Sequence, residues 1–104
     1  MEETIMSNNG VTHVLKGDSN IFEELGFASA EAETLRIKSE LMINITQWIR
    51  GQELKQVQAA ERLGISRPRV SDIMTGKSWK FTIDFLIDLL EKIGMKVDIK
   101  ISVA

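Results

Sequence analysis

Residues 56–76 read Q-V-Q-A-A-E-R-L-G-I-S-R-P-R-V-S-D-I-M-T-G, and they restrict the fold more than any other stretch of the chain. Two short helical patterns meet at Leu63-Gly64-Ile65-Ser66. Ala60 falls in the middle of the first, where a large side chain would hold the second helix off. Gly64 stands where the chain must turn sharply, a place that favours a residue tolerant of φ > 0. Ser66 can cap the second helix through its hydroxyl. Val70 and Ile73, three residues apart, turn that helix's apolar edge back toward Ala60 and Leu63. Together these positions define a helix-turn-helix, whose second helix enters the DNA major groove. The competing reading is a helical hairpin that only packs a core.

Charge separates those readings. The net charge of −2 looks wrong for a nucleic-acid binder, but its distribution does not. Residues 50–80 hold seven bases (Arg50, Lys55, Arg62, Arg67, Arg69, Lys77, Lys80) against three acids (Glu53, Glu61, Asp72), a balance of +4 that leaves −6 for the remainder. Bases crowded around one motif suit a phosphate-facing surface. An acidic remainder keeps non-specific DNA affinity low or faces a basic partner.

The 104 residues suit one domain, and the 43% hydrophobic content suits a globule. A core this small would benefit from dimerisation. The absence of cysteine excludes disulfides and thiol chemistry and agrees with a reducing cytoplasm, the expected location. No apolar run is long enough to span a bilayer, and the acidic N-terminus is unlike a signal peptide. One histidine (His13), no tyrosine and no Gly-rich phosphate loop leave catalysis, a metal site and a cofactor without support, so none of these is expected.

Residues 1–17 read as an arm, flexible over 1–10, with 11–15 (V-T-H-V-L) as a short strand. Residues 18–104 form the domain. A short helix over 21–25 is capped by Asn20 and stopped by Gly26. Ser29 caps a long helix that carries Leu35, Leu41, Met42, Ile45, Trp48 and Ile49 at helical spacing, runs to about Arg50 and ends at Gly51. The motif helices run from about Lys55 to Leu63 and from about Ser66 to Met74, and Gly76 closes the second. Thr82 caps a last helix that ends at Gly94 and is apolar on more than one side, so one face needs a partner. The tail then alternates strictly: Val97, Ile99, Ile101 and Val103 on one face, Lys96, Asp98, Lys100 and Ser102 on the other. That pattern predicts a half-buried strand, paired either with residues 11–15 or with the same strand of a second subunit.

The stretch L-K-Q-V-Q-A-A-E-R-L-G-I-S-R-P-R-V-S-D-I-M-T-G-K resembles the XRE family of regulators related to phage lambda repressor and Cro. The flanks N-I-F-E-E-L-G-F at 20–27 and W-K-F-T-I-D-F-L-I-D-L-L at 79–90, with the terminal strand, resemble its HigA-like antitoxin branch. The resemblance covers roughly residues 18–103. It implies a mainly α, five-helix lambda-repressor-like domain with a dimerising C-terminal β-strand. It also implies repression of the protein's own operon and neutralisation of a RelE-like mRNA-cleaving toxin. The chain departs from the family at Lys55, where a Thr or Ser usually caps the first motif helix. Lysine has no acceptor, so that end frays or Lys55 takes a phosphate.

Arg67 is the first candidate for base contact, because its fork matches guanine O6 and N7. Ser71 is a groove-lining hydroxyl. Pro68 lies in the first turn of the recognition helix, where proline is tolerated, and counts with the groove residues. Asp72 accepts from cytosine N4 or orients Arg69. Gln56 resembles the family glutamine that holds phosphate, and Lys55, Arg69, Lys77, Ser78 and Lys80 join it. Phe85, Leu89, Val97, Ile99, Ile101 and Val103 are the candidate dimer interface. Trp48 is expected in the core. Trp79 can pack its loop or lie on the DNA backbone, and packing is the expectation. The leading reading is a homodimeric repressor of a palindromic operator that is also an antitoxin. A stand-alone regulator without toxin and a protein-binding adaptor without DNA are the alternatives.

Overall fold

Five helices, preceded by a short hairpin, make up the described part of the chain. The computed structural model describes residues 5–8, 10–13 and 20–103, the first two segments as backbone. Strands β1 (Ile5–Asn8) and β2 (Gly10–His13) pair antiparallel, with Ile5 opposite His13 and Asn8 opposite Gly10. The strand expected over 11–15 is therefore present over its first three residues. Residues 14 and 15 lie outside the described residues. Ile5–Asn8, expected within a flexible arm, is the partner strand. Asn9-Gly10 is a turn signal in the sequence at the junction of the two strands, although Gly10 itself pairs with Asn8.

Helix α1 (Ile21–Glu24) starts where expected, with the Asn20 side chain accepting from the Phe22 N–H at 2.9 Å. Helix α2 (Ser29–Gly51) is the long central element. Ala28 holds its cap position without a side-chain bond, so Ser29 is the first helical residue rather than the cap. Its far end also differs from expectation. Gly51 stays helical, and Glu53 takes the left-handed conformation at φ 55°. The Leu54 N–H reaches the Ile49 carbonyl at 3.1 Å and the Glu53 N–H reaches Arg50 at 3.0 Å. This is the double closure in which glycine usually holds the left-handed place.

Helices α3 (Gln56–Leu63) and α4 (Arg67–Met74) follow, then a 3₁₀ turn (Ser78–Lys80) and α5 (Ile83–Lys92). Thr82 caps α5 as predicted, accepting from the Phe85 N–H at 3.2 Å. One core joins Leu41, Met42, Ile45 and Ile49 of α2 to Ala59, Ala60 and Leu63 of α3, Val70 and Ile73 of α4, and Leu86, Leu89 and Leu90 of α5. Trp48 is half-buried at its edge, with the Arg62 guanidinium over its ring at 5.9 Å.

Two expectations about partner-seeking surface change here. Ile83, Phe85, Ile87 and Ile93 pack against the core but stay half-buried, so α5 has its apolar sides only partly covered within the chain. Leu89 is 1% exposed and has no surface left for a second subunit. Residues 95–103 form no strand in the single chain, and Gly10–His13 pairs with β1 rather than with them. Met95 and Val97 rest on the core, while Ile99, Ile101 and Val103 leave it.

Candidate nucleic-acid interface

The motif turn is built from backbone constraints and two side chains. Gly64 adopts φ 72°, and its N–H closes α3 onto the Ala60 carbonyl at 2.8 Å. Lys92 of α5 donates to the Leu63 carbonyl at 3.4 Å, placing a cation at the negative end of α3. Ser66 accepts from the Arg69 N–H at 3.4 Å, and Pro68 sits in the first turn of α4, where a backbone donor is not needed. At the start of α3, Lys55 caps nothing, yet that end does not fray. Gln58 Oε1 reaches back to the Lys55 N–H at 2.8 Å, the half of a capping box that needs no acceptor from lysine.

Burial fixes which side of α4 faces out. Val70 and Ile73 are 0% and 1% exposed, so Arg67 and Pro68, both exposed, and the half-buried Ser71 form the opposite surface. The exposed start of a helix whose back is anchored on α3 is the arrangement that enters a groove.

Asp72 and Arg69 do not pair with each other. The Asp72 carboxylate, 15% exposed, holds Lys77 at 3.5 Å and Lys80 at 3.3 Å. The Arg69 guanidinium lies 4.8 Å and 4.7 Å from the ring centres of Phe81 and Phe85, which stack at 5.8 Å. Arg69 thus ties α4 to the base of α5 through cation–π contact, and Asp72 ties the basic loop to α4. Neither role was legible in spacing. Asp72 meets its lysines only because Gly76, at φ 78°, reverses the chain after α4. Gln56 Nε2 lies 3.9 Å from Met74 Sδ, linking the start of α3 to the end of α4. Lys55 is exposed and Ser78 half-buried beside the lysine pair. Trp79 was expected to pack its loop, but it is 73% exposed.

Residues 21–102 match the family described as Helix-turn-helix domain. A solved structure named as an XRE-family transcriptional regulator superposes with TM-score 0.65 at 32% identity, covering 71% of this chain and 83% of that one. The chain belongs to the XRE family of helix-turn-helix proteins. No curated protein matches it. Among the described residues of this XRE protein, no group of His, Cys, Asp or Glu is arranged to hold a metal ion. Also among them, no helix is long and apolar enough to cross a membrane.

Proposed function

We propose that this XRE protein is a sequence-specific transcriptional repressor in the cytoplasm. It binds a palindromic operator as a homodimer and acts as the antitoxin of a toxin–antitoxin pair. The observation that carries the DNA reading is the outward face of α4. Arg67 and Pro68 are exposed, Ser71 is half-buried, and the Asp72–Lys77–Lys80 cluster adds two bases at the same helix and the loop after it. Arg67 reads a base. Lys77, Lys80, Ser78, Lys55 and Gln56 face phosphate. Asp72, engaged with both lysines, positions them instead of reading cytosine.

The dimer reading rests on the tail. Ile99, Ile101 and Val103 are 63%, 89% and 99% exposed on one face of an alternating segment, which suits pairing with the same segment of a second copy. The antitoxin reading rests on the resemblance at residues 20–27 and 79–90. A second exposed apolar patch, Ile21, Leu25 and Phe27 around α1, suits a protein partner.

Binding to selected and random duplexes across a salt series tests the DNA reading. Arg67→Ala is expected to cost roughly 1–3 kcal/mol on the operator and relax preference at one base pair per half-site. Lys77→Ala is expected to weaken all sequences alike and lower the salt slope by about one. Equal losses for both variants on specific and random DNA would remove Arg67 from the reading role. Deletion of residues 95–104 should convert a sedimenting dimer to monomer. A small basic RelE-like reading frame adjoining the gene, whose product co-purifies with this chain, is the expected sign of the toxin.

A further inference from the structure

In sequence, Trp79 lies between the two lysines that Asp72 holds. Lys77 and Lys80 are three residues apart across a 3₁₀ turn, a spacing that places them on the same side. Both ammonium groups point to Asp72. The next residue, Phe81, is 4% exposed and stacked on Phe85. The turn is therefore fastened on both sides, by ion pairs to α4 and by an aromatic stack to α5. Trp79 projects from this fixed base with 73% of its surface in solvent. An exposed indole on an anchored loop is a large apolar surface left unsatisfied in the free protein.

We propose that Trp79 is a contact for duplex DNA, its ring laid against the sugar–phosphate backbone at the edge of the groove that α4 enters. The inference rests on the DNA reading of α4 and extends it to a residue outside the motif. The flanking charge selects the partner. Lys77 and Lys80 draw a polyanion to the loop that carries the ring, and their ion pairs with Asp72 tie that loop to α4. The indole face covers deoxyribose C–H groups, and its N–H donates to a phosphate oxygen. Such contact carries no sequence information. It adds affinity without adding a charge.

The test uses full-length protein carrying Trp48→Phe, which leaves Trp79 as the sole tryptophan of the two in the chain. The probe is random-sequence duplex DNA at low salt. Trp79 emission should change on binding, and acrylamide should reach the ring less easily in the complex. In the otherwise native chain, Trp79→Ala should lower affinity for random and operator DNA alike, by about tenfold. The slope of log affinity against log salt should stay unchanged, and Trp79→Phe should recover most of the loss. Circular dichroism should show Trp79→Ala folded, since 73% of the residue's surface is already in solvent. Unchanged affinity in Trp79→Ala, or unchanged emission and quencher access while DNA is bound, overturns the proposal. So does a change in Trp79 emission with protein concentration alone, which would assign the ring to a protein contact. Failure of the wild-type chain to bind duplex DNA at low salt is a different result, and it overturns the DNA reading itself.

Discussion

The α3–α4 motif and the C-terminal tail carry equally clear apolar patterns, and the fold treats them in opposite ways. In the motif, Leu63, Val70 and Ile73 are at most 1% exposed. In the tail, Ile99, Ile101 and Val103 are at least 63% exposed. The difference lies in where the covering surface comes from. The motif helices meet each other across a turn of a few residues and meet α2 and α5 of the same chain. The tail leaves the core after Val97, and nothing among the described residues covers its apolar side. A period shows which side of an element is apolar. It does not show which surface will cover that side.

The largest test of this contrast compares truncations in the two regions. Leu63→Ala should cost about 3 kcal/mol in urea unfolding, by lost transfer and a residual cavity. Ile101→Ala should change the stability of the dilute monomer by less than about 0.5 kcal/mol, because the side chain is already in water, while weakening self-association. Comparable losses of monomer stability from the two variants would show that the tail is covered within one chain.

A smaller effect probes how tightly the motif turn is held. Gly64→Ala should destabilise by about 1 kcal/mol, since φ 72° disfavours any Cβ. The new methyl would also meet Lys92 Nζ at 3.3 Å and disturb its bond to Leu63. Adding Lys92→Ala should relieve the steric part of that cost, so the double variant should lose less than the sum of the singles.

The smallest effect has the opposite sign. Glu53→Gly should raise the melting temperature, with a gain of up to about 1 kcal/mol. It removes a left-handed Cβ from the closure of α2 and leaves both closing hydrogen bonds in place. An unchanged or lowered melting temperature would show that Glu53 contributes a contact that offsets its backbone strain.

By itself the sequence determined the helical elements, most of their ends and the motif. Those properties depend on neighbours a few residues apart: Asn20, Ser66 and Thr82 at caps, Gly64 at a turn, and Val70 and Ile73 on one helix face. Where it misled, a competing local solution was available. Gly51 is a natural stop, but the closure of α2 falls two residues later on Glu53. Gly10–His13 pairs with Ile5–Asn8 instead of with the tail. The tertiary structure alone decided that Leu86, Leu89 and Leu90 of α5 are buried while its other apolar residues are half-covered, that Arg69 is held by Phe81 and Phe85, and that Asp72 gathers Lys77 and Lys80. It also decided that Trp79 faces water. Each of these depends on surfaces from separate elements meeting in space. Periodicity along one element carries no information about that meeting, because it records the direction of a side chain and not the distance to its partner.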